Sequence, residues 1–137
     1  MFKHVIEYTD YDGNTRSEEL CFNLSAPEML ELQIHTPGGY AEKLERVANS
    51  NNPLEMLDLV MDLLKRSYGK RSEDGTRFIK VGPDGRKLYE DFIETPAYEA
   101  FMFECITNEK LAANFVNNLI PQSTIDKLSA SLSQSAS

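Results

Sequence analysis

Apolar and polar residues alternate over the first nine residues of the chain, which is the pattern of a half-buried β-strand. The alternation returns over residues 16–24, and Asp12-Gly13-Asn14 between the two runs is turn chemistry. The side chains that share a face are Phe2, His4, Ile6 and Tyr8 in the first run, and Leu20, Phe22 and Leu24 in the second. The pattern therefore predicts a β-hairpin within residues 1–24.

The register of this hairpin follows from its apolar face. If the apolar residues of the two strands face one another, Ile6 lies opposite Leu20, and the loop has an odd length, such as Asp12-Gly13-Asn14 with Asn14 in the left-handed region. A two-residue Asp12-Gly13 turn would instead place Ile6 opposite Glu19 and waste the apolar face. Because an isolated hairpin is barely stable, we expect this face to cover helices or a neighbouring subunit.

From residue 25 the apolar residues recur every three or four positions, which predicts helices. Ser25-Ala26-Pro27-Glu28 is a capping box, and Asn52-Pro53 combines an N-cap with Pro at the first helical position. The helix after Asn52 is so apolar that we expect it to form the central core; a Met-containing groove for a partner is the alternative. Its main stripe is Leu54, Leu57, Met61 and Leu64, widened by Met56, Leu59, Val60 and Leu63.

Further helices are predicted after residue 86. Residues 87–94 give one or two turns, Thr95-Pro96 begins a longer helix, and Thr107 caps the last firm helix, which ends before Pro121. A short helix over residues 125–128 is also predicted.

The predicted fold class is mainly α (α+β): an N-terminal β-hairpin (1–24) followed by a compact bundle of four to six helices. The length of 137 residues suits one domain, so we expect a single α-rich domain over residues 1–128. The Ser-rich residues 129–137 predict a disordered C-terminal tail.

Basic residues are concentrated in the middle of an acidic chain, whose net charge is −8. This segment, residues 65–87, has turn signals and a short extended stretch over residues 77–81. A solvated linker is one interpretation. The other is a contact for an acidic partner or for head-to-tail stacking of copies, and the residues expected to bind the partner are Arg71, Arg77, Phe78 and Lys80.

No catalytic, cofactor or metal-binding pattern is present in the sequence. The two cysteines, Cys21 and Cys105, are far apart and fit buried free thiols, and neither histidine has zinc-ligand spacing. Residues 69–75 lack the Lys-Ser/Thr of a phosphate loop, and Asp10–Asn14 lacks the spacing of a calcium loop. The acidic balance argues against nucleic acid or membrane as a partner. Because the sequence has no membrane-length apolar run, no signal-peptide pattern and no catalytic motif, we expect a cytosolic protein that is not an enzyme.

Several short phrases occur in an order that resembles the tail assembly chaperones of long-tailed (siphovirus-type) bacteriophages or prophages of Gram-positive bacteria. They are the hairpin-like start, Ser67–Lys80, Thr95–Glu104 and Phe115–Pro121, and the resemblance covers residues 1–121. The sequence departs from the family pattern where residues 81–85 form an extra turn, and at Asn118, where Gly is expected.

The resemblance implies an assembly factor that binds the tape measure protein, keeps it soluble and helps to recruit tail tube subunits. It also implies a homo-oligomer that works in the host cytoplasm and is missing from the mature virion. Two other classes stay open: a structural tail-completion or connector protein of the virion, and a small regulatory or nucleic-acid-binding module using residues 65–87.

Overall fold

The computed structural model describes residues 1–121 together with 123, 124, 126, 127 and 130. Residues 125 and 128 of the predicted helix at 125–128, and all of the predicted tail at 129–137 except residue 130, lie outside the described residues. The described elements are, in order, β1 (Phe2–Thr9), β2 (Thr15–Phe22), α1 (Ala26–His35), α2 (Tyr40–Ser50), α3 (Pro53–Ser67), β3 (Tyr68–Arg71), β4 (Phe78–Ile79), α4 (Leu88–Phe92), α5 (Pro96–Thr107) and α6 (Glu109–Leu119). The α+β fold with an N-terminal hairpin is confirmed.

The four described strands form one antiparallel sheet in the order β1-β2-β3-β4. The basic segment at residues 65–87, for which a solvated linker was one interpretation, therefore supplies two strands of this sheet. Cys21 pairs with Gly69 and Phe22 with Tyr68, so the chain leaves α3 directly into the sheet. The predicted extended stretch is confirmed, but its neighbour Tyr68–Arg71 is a strand that the composition hid, because only Tyr68 and Gly69 of it are buried.

The hairpin faces are confirmed, whereas the predicted register is wrong by two residues. Ile6 lies opposite Glu18 and His4 lies opposite Leu20. The Asp10 carboxylate accepts hydrogen bonds from the backbone N–H groups of Asp12 and Asn14, at 2.9 and 2.8 Å, and so holds a loop that lies one residue earlier than predicted. Gly13, not Asn14, takes the left-handed conformation, with φ of 84°. The loop length stays odd, so the inward face is unchanged.

A cluster of aromatic rings joins the sheet to α5 and α6. The centre of the Phe22 ring lies 5.3 Å from that of Phe101 and 5.1 Å from that of Phe115. The ring centres of Phe2 and Phe115 are 5.4 Å apart. The inward side chains of β1 and β2 therefore cover helices, as expected for a small hairpin.

The predicted stripe of α3 needs a correction. The buried side of this helix is centred on Val60 and Leu63, whereas Leu54 is 75% exposed and Met61 lies at the rim. Each residue turns an α-helix by about 100°, so Leu54 and Met61 point nearly away from the buried side. Of the predicted stripe, Leu64 is buried and Leu57 is half-buried. Among the described elements, α2, α5 and α6 contact α3, and the sheet continues from its end.

The helix caps follow the sequence at most positions. Ser25 and Glu28 form the predicted capping box, and the Asn52 side chain accepts from the Leu54 N–H. The predicted Thr107 cap is wrong: Asn108 caps α6 and accepts from the N–H groups of Lys110 and Leu111. Thr107 is the last residue of α5, and its hydroxyl donates to the Phe103 carbonyl.

Candidate partner-binding surfaces

The predicted partner-binding residues lie on and beside the β3–β4 hairpin. Arg71 pairs with Phe78 across the two strands, and Arg77 precedes β4. The turn between them is held by Asp74, whose carboxylate accepts from Ser72 and Thr76, and these hydrogen bonds lower its pKa to about 2. Both arginines are exposed, and neither forms an ion pair within the described part of the chain. They remain available for a partner.

Phe78 supports this hairpin from within. A Cβ atom at Gly69 would lie 2.6 Å from the Phe78 ring and 2.5 Å from the Ile79 carbonyl oxygen, so Gly is required for the strands to approach. Phe78 is half-buried, and the Lys80 ammonium lies 6.0 Å from the centre of its ring. Phe78 therefore packs the hairpin, and its contact with a partner stays a prediction.

Lys80 ties the hairpin to the helices. Its ammonium lies 2.7 Å from the Glu28 carboxylate and donates to the Arg66 carbonyl at 2.9 Å. Burial raises the pKa of Glu28, but hydrogen bonds from Lys80 and Ser25 outweigh burial, so its pKa lies below the ordinary 4.5. Lys80 is thus engaged inside the protein, and only Arg71 and Arg77 of the four predicted residues offer free charge.

We expect Lys80→Met to lower the free energy of unfolding by about 1 kcal/mol, because it removes a charged hydrogen bond from a partly exposed pair. The carboxylate of Glu28 stabilises the fold above its unfolded pKa, and that contribution is lost as pH falls through its lowered folded pKa. Urea unfolding at pH 7 and pH 3 should therefore show the difference between the variant and the parent shrinking in acid. Lys110→Met, at an exposed position, is the control; an equal loss in both variants would contradict the assignment.

A different surface is apolar and uncovered. α5 buries Ala97, Phe101 and Cys105 on one side, yet on the opposite side Phe103 is 65% exposed and Ile106 is 57% exposed. These two side chains belong to a groove of about 390 Å³ that runs from the hairpin tip along α5. We call it the α5 groove; its residues are Tyr11, Ile93, Glu94, Thr95, Tyr98, Glu99, Met102, Phe103 and Ile106.

The joint between α4 and α5 fixes this groove. The Thr95 hydroxyl donates to the Phe92 carbonyl at 2.6 Å and accepts from the Tyr98 N–H at 3.3 Å, which begins α5 at Pro96. Phe92 stacks on Tyr68 with centroids 4.1 Å apart and meets Tyr98 edge-on at 5.6 Å. The groove therefore lies on a rigid base that is packed against the sheet.

The sequence contains one sign of this groove, which is that α5 has apolar residues on all of its sides. Apolar residues surround α5, and a helix that is apolar all round is normally buried on all sides. Here Phe103 and Ile106 are left in solvent, and contiguous exposed apolar groups mark interaction sites. Glu94 and Glu99 provide the charge at the groove.

The remaining chemistry of the described residues is sparse. No group of three or more His, Cys, Asp or Glu side chains among them is placed to hold a metal ion. Likewise, none of the described helices has the length and apolar character needed to cross a membrane. His4 lies 2.7 Å from the Glu104 carboxylate and so joins β1 to α5.

The two free thiols differ in their expected reactivity. Cys105 is buried, and burial followed by the charge of Glu104 raises its pKa to about 12. Cys21 is half-buried, and burial and Glu19 raise its pKa as well. Because the thiolate is the nucleophile, iodoacetamide at pH 8 should label Cys21 first and Cys105 only after unfolding. Mass spectrometry with a urea-unfolded control measures this, and faster labelling of Cys105 in the folded protein would contradict its burial.

Comparison with known proteins agrees with the resemblance that the sequence phrases indicate. No curated protein and no solved structure matches the chain. The family model for phage tail assembly chaperones matches residues 1–136 and so includes the sheet, all six described helices, the β3–β4 hairpin and the α5 groove. The chain belongs to the family of phage tail assembly chaperones.

Proposed function

We propose that this chaperone binds the tape measure protein of a long-tailed phage of a Gram-positive host, keeps it soluble and helps to recruit tail tube subunits. The observation that carries the proposal is the α5 groove. A long helical client that exposes apolar faces needs temporary cover, and a groove lined by aromatic and aliphatic side chains supplies it. Phe103 and Ile106 are the anchors, because they are the most exposed apolar side chains of α5.

Charge supports the same assignment. The chaperone carries a net charge of −8. Repulsion between such charges keeps complexes with an aggregation-prone client from associating with one another. Glu94 and Glu99 lie in the groove beside the apolar anchors. They favour a client helix whose apolar face is flanked by lysines or arginines.

The β3–β4 hairpin provides a second contact in this proposal. Arg71 and Arg77 are exposed and unpaired within the described residues, so they suit an acidic segment of a tail tube subunit. Phe78 and Lys80 support this contact indirectly by holding the hairpin in place. The protein acts without catalysis, as a homo-oligomer in the host cytoplasm, and mature particles lack it.

Co-expression with the tape measure protein tests the proposal. The client should be found in the soluble fraction and co-purify with tagged chaperone, and it should precipitate when expressed alone. Co-expression with an unrelated acidic protein of similar size is the control for nonspecific solubilisation. A client that stays insoluble beside the folded chaperone, or that is equally soluble without it, would overturn the proposal.

A further inference from the structure

The first strand is an open edge of the sheet. β1 is eight residues long and, among the strands that the structure describes, pairs only with β2, because the strand order is β1-β2-β3-β4. Its pairing with β2 runs without interruption from Phe2 to Thr9, and it contains no Pro. Proteins usually protect an edge of this length with Pro, a bulge or a covering segment, since it offers a template for another strand.

Hydrogen bonds at the strand ends show which peptide groups face this edge. The Asp10 N–H donates to the Asn14 carbonyl at 2.9 Å, and the Asn23 N–H donates to the Ser67 carbonyl at 2.8 Å. Because hydrogen-bonded residues alternate along an antiparallel strand, the even-numbered residues of β1 direct their peptide groups to β2. Lys3, Val5, Glu7 and Thr9 direct theirs outward, where no hydrogen bond to a described residue is made.

We propose that two copies of this chain pair through their β1 strands, antiparallel and centred on Val5. In this register Val5 lies opposite Val5 of the second copy, and Lys3 lies opposite Glu7 of the second copy. Each such pair exchanges two backbone hydrogen bonds through groups that face outward in the single copy. Opposite charges meet on the outer face, and the two sheets become one.

The neighbouring two-fold registers are less favourable. Centring the pair on Lys3 or on Glu7 places like charges directly opposite one another, which is destabilising. Centring it on His4 or on Ile6 places Lys3 and Glu7 opposite uncharged residues, so neither charge gains an opposite partner. Only the centre at Val5, whose side chain is 59% exposed, matches Lys3 with Glu7 on both sides of the axis. This self-complementarity is the property of an isologous contact and favours a second copy over an unrelated client strand. It replaces head-to-tail stacking as the expected mode of self-association.

Charge reversal tests this interface. Lys3→Glu or Glu7→Lys alone places like charges opposite one another twice and should weaken the dimer about tenfold or more in low salt. The double variant Lys3→Glu/Glu7→Lys restores opposite pairs and should restore the dimer. Sedimentation velocity across a wide concentration range measures the dissociation constant, and circular dichroism confirms that each variant remains folded.

The outcomes are separable from the proposed function, because β1 shares no residue with the α5 groove. Glu7→Lys should dimerise more weakly than the parent and still keep the tape measure protein soluble. A parent protein that is monomeric at every concentration, or a dimer that both single variants leave unchanged, would overturn the proposal. So would a monomeric parent whose Val5→Pro variant loses the client, because the edge would then take a client strand.

Discussion

Phe101→Ala should lower the free energy of unfolding by about 3–5 kcal/mol, the range for removing a fully buried Phe side chain. Phe101 is 0% exposed, and its ring lies 5.3 Å from Phe22 and 5.7 Å from Phe115. The substitution leaves a cavity where the sheet, α5 and α6 meet. Urea unfolding followed by circular dichroism measures the loss.

Phe103→Ala provides the matched control for this prediction. It removes the same side chain from the same helix two residues later, but from the exposed side. Its cost should stay within about 0.5 kcal/mol, as for surface substitutions remote from packing. If the two variants lose similar stability, the assignment of the buried and exposed sides of α5 is wrong.

Phe103→Asp/Ile106→Asp should abolish client binding while the protein remains folded. Both side chains are exposed, so the charges stay in water in the free protein. In the complex the same carboxylates would lose their water against an apolar helix, which costs several kcal/mol unless they are paired. We therefore expect the affinity for the tape measure protein to fall at least about a hundredfold, as when interface hot spots are removed.

Leu54→Asp is the control for this double variant. Leu54 is a large exposed apolar residue outside the α5 groove, on the first turn of α3. Pull-down of the co-expressed client and the melting temperature are measured for each variant. A double variant that binds the client as well as the parent and Leu54→Asp do would move the client site away from α5.

Most elements of the fold could be predicted from the sequence because its local signals agree with one another. The Ser25 box, the Asn52-Pro53 start and the alternation around Ile6 each predict an element that the structure contains. These signals depend on residues that are near one another in the chain, and local chemistry settles them. The register error of two residues kept the inward face correct, since strand side chains alternate with a period of two.

Features that depend on distant residues were not predictable in the same way. Tyr68–Arg71 becomes a strand because β2 is beside it, and its polar composition gives no sign of that neighbour. Lys80 looks like a free basic residue until the fold brings Glu28 within 2.7 Å. The α5 groove likewise joins Tyr11 of the hairpin tip to residues 93–106, which are distant in the chain. The four residues of the basic segment stay a prediction, and the client site on α5 is a proposal.

Hydrogen–deuterium exchange with and without bound tape measure protein is the most direct test of the client site. The groove is lined by Tyr11 at the hairpin tip and by residues between Ile93 and Ile106. Amides in these two segments should exchange more slowly in the complex, because the client helix covers them, while β2 and α3 should be unchanged. Protection confined to the β3–β4 hairpin, with α5 unaffected, would contradict the account and return the client to Arg71 and Arg77.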